Sequence, residues 1–274
     1  MNMVWLLLAN VVLFGLIRYI SQSKRHKTNK GVVNWDGYDA VSITVAIYLV
    51  SQLVAILIYS LYLAATGATS GASELLSSSV SHQFFYILLV EVITLASLQA
   101  LLKLRGNGLR VLGLGKPNWK DLGYVLVGFG MYLPLLVVSL KAVEVLAPTI
   151  NLDQQQQIGF ENAQGPLQLL LVFCSLVILP PITEEILTRG YLYLGLRKQL
   201  PKIWAALITS ALFAIAHLQF GNGAPLLWTA AVDTFVLSLV LIYIRNATGK
   251  LWAPIGLHML KNFIAFLALF VFVS

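Results

Sequence analysis

Charge is what this chain has least of. Only 11% of its 274 residues are Asp, Glu, Lys or Arg, and 58% are hydrophobic. A soluble domain carries about 25% charged residues, so an ordinary soluble fold is excluded. Cysteine is almost absent too. Cys174 stands alone, so no disulfide can close within this sequence. It lies in the apolar run 169–179, where an inert buried thiol is expected, since a nucleophilic thiol needs a nearby base and some exposure. There is no HExxH pair, no heptad pattern and no internal repeat. The net charge of +7 is not pooled into a patch of the kind that holds nucleic acid. The basic residues sit in short loops between apolar runs, which is how membrane topology is set. The expected surroundings are therefore a lipid bilayer, with no nucleic acid partner. The expected location is an integral, multi-pass one in the plasma (cytoplasmic) membrane.

A membrane span needs about 20 apolar residues. Eight candidates are present: residues 3–20, 39–65, 84–102, 122–147, 166–196, 203–220, 224–243 and 251–273. The expected fold is all-α, a polytopic transmembrane bundle of about eight spans. The fifth candidate contains Pro180-Pro181, which predicts a break near residue 179 and a second helix over 182–198. Positive clusters follow spans one, three, five and seven: Lys24, Arg25, Lys27 and Lys30, then residues 103–120, then Arg197, Lys198 and Lys202, then Arg245 and Lys250. The loops 66–83, 148–165 and 221–223 contain neither Lys nor Arg. This alternation places both ends of the sequence outside. The first span lacks a basic segment ahead of it, so it reads as a span and not as a cleavable signal. The Gly- and Pro-containing loop 109–119 reads as an interfacial hinge. It would divide N-terminal spans and cytoplasmic loops (1–120) from a five-span unit (121–274).

Three apolar spans carry ionisable groups, which are rare in a bilayer and usually face a bundle interior or a wet cavity. They read Glu184-Glu185-Ile-Leu-Thr-Arg189, Phe213-Ala-Ile-Ala-His217 and His258-Met-Leu-Lys-Asn262. Counting from the nearest cytoplasmic basic residue at about 1.5 Å per residue puts Glu184 roughly 20 Å deep, His217 roughly 22 Å, His258 roughly 12 Å and Asn262 roughly 18 Å. Those depths overlap near the bilayer middle, as one site would require. Glu185 and Arg189 stand i, i+4 with the acid first, the favourable order for a helical ion pair, and this leaves Glu184 turned elsewhere. His258 and Asn262 are also i, i+4 and share a face.

Two chemistries fit. Glu184 can act as general base on a water shared with a histidine, with the remaining polar groups stabilising a tetrahedral oxyanion. Alternatively Glu184, His217 and His258 can hold zinc or a similar divalent ion with an open fourth position, which lowers the pKa of a bound water. The cofactor is thus either none or such a metal. A proton relay in a transporter and a silent scaffold or immunity protein are the rival functions.

The three stretches resemble the EExxxR, FxxxH and HxxxN motifs of the CAAX-prenyl-endopeptidase and bacteriocin-processing family of intramembrane proteases, in order and in spacing. Leu112-Gly-Leu ahead of the fourth span, Ser210-Ala-Leu-Phe and Ala253-Pro254 also resemble the motifs' surroundings, and the resemblance covers about residues 122–270. The resemblance implies that Glu184 activates water and that His217, His258 and Asn262 are its partners around a scissile peptide. Glu185 and Arg189 match the rest of the first motif. Many members have Phe where this chain has Thr188. What is implied is an intramembrane endopeptidase acting on a CAAX-like tail or another membrane-associated peptide, within a cavity open to the cytoplasm. Whether a metal takes part is left open by the resemblance. Glu91 and Asp233 read as packing or supporting residues, with Asp233 placed to orient a histidine. Lys141 and Glu144 read as a self-neutralising surface pair, and His26 and His82 as loop residues.

Overall fold

The computed structural model describes residues 13, 15–20, 33–154, 159–218 and 226–272. These form an all-helical bundle: α1 (Gly37–Thr66), α2 (Ala72–Ser78), α3 (Val80–Leu104), α4 (Trp119–Leu146), α5 (Gly165–Arg197), α6 (Lys202–Ala216), α7 (Trp228–Thr248) and α8 (Trp252–Val271). Six of them, α1, α3, α4, α5, α7 and α8, are long and apolar enough to cross a membrane. Of the first candidate span, residues 15–20 are helical. Its other residues apart from Leu13, the cluster Lys24 to Lys30 with His26, and the loop 221–223 lie outside the described residues. His82 belongs to the first turns of α3 and not to a loop, with its Nδ1 3.0 Å from Ser79 Oγ.

The starts of α1 and α4 are written in the sequence. Asp36 and Asn118 cap them, and Asp39 and Asp121 complete both capping boxes. These residues satisfy backbone N–H groups that a helix start would otherwise leave unpaired.

Two helices depart from expectation, and both departures shape the site. α5 does not break at Pro180-Pro181. It runs unbroken, with π-helical turns at Cys174–Ile178 and Ile186–Leu192 on either side of the prolines. Such wide turns are frequent at functional sites and accommodate backbone groups that lack their usual partner. α6 ends at Ala216, short of the apolar run's end at Phe220. Its 15 residues span about 22 Å, less than the roughly 30 Å hydrocarbon core. The His217 imidazole Nδ1–H turns back to donate to the Phe213 carbonyl at 2.8 Å, satisfying a carbonyl of the last turn. The helix thus stops partway through the membrane with His217 at its tip.

The end of the bundle that carries the basic loops is densely packed. Trp35, Leu98, Leu102, Leu112, Tyr191, Leu192 and Ile255 belong to one buried core. Trp35 stacks on Tyr191 at 4.8 Å, and its Nε1–H donates to the Tyr191 carbonyl at 3.1 Å. Arg105, fully buried, pairs with Asp39 at 2.8 Å, donates to the Asn34 and Tyr19 carbonyls, and lies over the Tyr19 ring. Gly195 permits a close approach of α1 to α5, since a Cβ there would lie 2.5 Å from that of Ala40. The loop 109–119 is tethered: Arg245 donates to the Leu112 carbonyl at 3.1 Å, and the Leu251 N–H to that of Gly113 at 3.1 Å.

Candidate active site

Four of the groups singled out in the sequence line one cavity of about 240 Å³: Glu184 from α5, His217 at the tip of α6, and His258 and Asn262 from α8. The count by depth left His258 well short of His217. In the structure both rings meet Phe213, whose centroid lies 4.6 Å from that of His217 and 6.2 Å from that of His258. The aromatic residue of the second motif therefore spaces the two imidazoles.

Behind this front stands a charged layer. Glu185 and Arg189 are fully buried and paired at 2.9 Å, as their i, i+4 spacing requires. The same carboxylate oxygen, Glu185 Oε1, accepts from His258 Nδ1 at 2.9 Å. The acceptor fixes the tautomer of a neutral His258: its proton is on Nδ1, and the Nε2 lone pair faces Glu184. Arg189 also lies over the Phe213 ring at 4.3 Å, a cation–π contact. Thr188, where the motif commonly has Phe, accepts from Arg189 Nη1 at 2.8 Å and donates to the Glu184 carbonyl. The hydroxyl thus supplies the arginine with an acceptor in an apolar setting.

Glu184 is treated differently from its neighbour. Its side chain is 31% exposed, and its Oε2 stands 3.9 Å from His258 Nε2, too far for a direct hydrogen bond. That oxygen is buried and has no hydrogen-bond partner among the described residues. An acceptor and an imidazole nitrogen at this separation leave room for one bridging water. Glu91, half-buried on α3, shares a hydrogen bond with Thr183 and lies close enough to interact with the Glu184 charge.

Asn262 is held by an unusual partner. Its Nδ2 donates to the Leu176 carbonyl at 2.9 Å. In an α-helix that carbonyl would receive the N–H of residue 180, and in a π turn that of residue 181. Both are proline and have no N–H. Pro180-Pro181 therefore leaves a carbonyl open on the cavity wall, and the carboxamide of α8 fills it. Pro180→Ala restores a donor to Leu176 and releases Asn262. Turnover is expected to fall by about tenfold, the kinetic equivalent of about 1.4 kcal/mol, with thermal stability kept or raised. Wild-type turnover in that variant would show that the prolines do not position the amide.

Asp233 does not orient a histidine. It pairs with Lys261 at 2.8 Å and accepts a hydrogen bond from the Tyr132 hydroxyl, and both charged groups line the cavity. Lys261 escaped the reading of the sequence. The available signal was a lone lysine in one span and a lone aspartate in the span before it, an arrangement that calls for a pair. Lys141 and Glu144 form the expected exposed pair at 2.6 Å.

The zinc alternative needs Glu184, His217 and His258 to converge with each donor about 2.0–2.2 Å from one ion. Among the described residues no three His, Cys, Asp or Glu side chains gather closely enough for that. The set does not fit a three-ligand metal centre.

Comparison with known proteins locates the same region. Residues 166–264 match the family model for type II CAAX prenyl endopeptidase Rce1-like proteins. A protein of Escherichia coli named "Uncharacterized 24.3 kDa protein" is 37% identical over 92 residues, 33% of this chain and 40% of its own length. The Bacillus subtilis (strain 168) protein "Putative membrane peptidase YdiL" is 31% identical over 106 residues, 37% of this chain and 40% of its own length. The chain thus covers about 40% of the length of these curated relatives. No solved structure matches it. The matched segment encloses Glu184, Glu185, Arg189, His217, His258 and Asn262, so the type II CAAX prenyl endopeptidase-like family that the three motifs resemble is the family that residues 166–264 match.

Proposed function

We propose that this protein is an intramembrane endopeptidase that hydrolyses a peptide bond with a water activated by Glu184. The observation that carries the proposal is Glu184 Oε2, without a hydrogen-bond partner among the described residues and 3.9 Å from His258 Nε2, in a cavity shared with His217 and Asn262. A water between the carboxylate and an imidazole nitrogen gives its proton to Glu184 as its oxygen attacks the scissile carbonyl carbon. The carbonyl π electrons move onto oxygen. The second N–H of the Asn262 amide, whose first is engaged by Leu176, is a donor for that oxyanion, as is a histidine once protonated. Collapse of the intermediate breaks the C–N bond, and the proton held by Glu184 passes to the leaving amine.

The buried carboxylate of Glu185 supports His258 from behind. It holds the ring in one tautomer and stabilises it when it becomes an imidazolium. The substrate is a peptide in or at the membrane, and a CAAX-like tail is one member of that class. The direct test is hydrolysis of a peptide library by purified protein in detergent, read by mass spectrometry, with Glu184→Gln as the control. Cleavage products common to both, or absent from both, would refute the proposal.

The donor geometry also predicts the response to chelation. Activity is expected to survive dialysis against a strong chelator, and elemental analysis should find zinc well below one per chain. Stoichiometric zinc that leaves together with activity, and restores it on return, would overturn this.

A further inference from the structure

Among the described residues, the walls of the catalytic cavity extend in one direction. On α5 its walls run from Glu184 through Pro180 to Leu176, towards the helix start. On α8 they run from His258 to Phe270, towards the helix end, roughly 9 and 27 Å from Trp252 at about 1.5 Å per residue. On α7 they comprise Ala230, Asp233, Thr234 and Leu237, all in the first half of the helix. None of the described wall residues lies on the other side of the Glu184–His258 level. That side is sealed by Glu185, Arg189, Tyr191 and Leu192, all at most 1% exposed.

The two ends of the bundle can be told apart by charge. At the sealed end, Lys198 donates to the Val33 carbonyl, Lys250 to that of Lys116 and Arg245 to that of Leu112, so the basic loops gather there. At the other end Gln154 joins Leu226 and Trp228, Thr229 joins Leu152, and Phe160 joins Gln83. The described segments meeting there, 66–83, 148–154, 159–165 and 226–227, contain no Lys or Arg. The basic residues Lys141 and Lys261 outside the basic loops are neutralised by Glu144 and Asp233. The bias of Lys and Arg towards cytoplasmic loops makes the sealed end cytoplasmic. A second cavity of about 220 Å³ lies beyond the first. It shares Ala230 and Asp233 with it and reaches Gln154, Leu227 and Thr229 of the end without Lys or Arg.

Resting on the endopeptidase reading of the site, we infer that the catalytic cavity opens to the extracytoplasmic side and not to the cytoplasm, as the resemblance alone implied. Its substrate is then a peptide segment displayed on that face: part of an exported or membrane-anchored polypeptide, with apolar residues against Leu176, Leu237, Phe266 and Phe270. A lipidated tail presented from the cytoplasm meets the sealed layer instead.

The test reads water access and does not depend on activity. Cys174 is replaced by Ala in the membrane protein, and single cysteines are introduced at Ala265 in the cavity, Ser77 at the end without Lys or Arg and Lys116 at the basic end. Right-side-out and inverted membrane vesicles are treated with a membrane-impermeant thiol reagent. Ala265→Cys is expected to react in right-side-out vesicles together with Ser77→Cys, and Lys116→Cys only in inverted ones. Reaction of Ala265→Cys in inverted vesicles overturns the inference, as does failure to react in either while the unfolded protein reacts. Exchange of the two end controls overturns it as well. Peptide hydrolysis by the detergent-solubilised enzyme is measured separately, so a failed protease reading and a wrong orientation give different results.

Discussion

Replacing Glu184 by Gln is expected to abolish hydrolysis while leaving the protein folded. The substitution keeps the shape of the side chain and removes its capacity to take a proton. A positioned acid–base group typically contributes 10²–10⁴-fold, so turnover should fall at least about a hundredfold. Stability should hardly change, because among the described residues Glu184 Oε2 has no hydrogen-bond partner to lose, and the side chain is 31% exposed. Turnover and thermal unfolding of the same detergent-purified sample check both halves. Turnover within about tenfold of wild type, against the contribution expected of a general base, would remove Glu184 from the reaction.

The parts of this site that were legible in the sequence are those whose cause is local. Glu185 and Arg189 are one helical turn apart, and their ion pair follows from that spacing. Spans such as Gly37–Thr66 and Trp119–Leu146 follow from long apolar runs closed by capping residues. What was hidden depends on partners far along the chain. Pro180-Pro181 reads as a break because the rule assumes that every carbonyl of a helix must find its donor in the same helix. The Leu176 carbonyl finds its donor in Asn262, 86 residues away. The stop of α6 at Ala216 was invisible because the apolar run continues, and the end is marked by one imidazole turning back on the Phe213 carbonyl. The Tyr132–Asp233–Lys261 cluster joins three helices, so no single segment announces it. The direction of the cavity rests on two features together: the charge asymmetry of the loops, and the sealed layer of Glu185, Arg189, Tyr191 and Leu192 on one side of Glu184.

Arg189→Leu and Glu185→Gln should behave in the opposite way to Glu184→Gln. Both partners are fully buried, and removing one member of a buried pair strands the other charge at a cost of about 3–5 kcal/mol. Each single variant should therefore unfold at markedly lower temperature or fail to accumulate. Arg189→Leu additionally leaves the Glu185 carboxylate with His258 as its remaining hydrogen-bonded partner. The double variant Glu185→Gln/Arg189→Leu separates structure from function. With both charges gone, nothing charged is stranded, and replacing a buried pair is often neutral for stability. Its unfolding temperature should recover towards wild type. Its activity should not, because His258 Nδ1 then faces a neutral amide and the imidazolium loses the carboxylate that stabilises it. If the singles melt like wild type, the pair does not hold the fold. If the double variant recovers activity along with stability, Glu185 acts only as a counter-ion to Arg189 and has no part in setting His258.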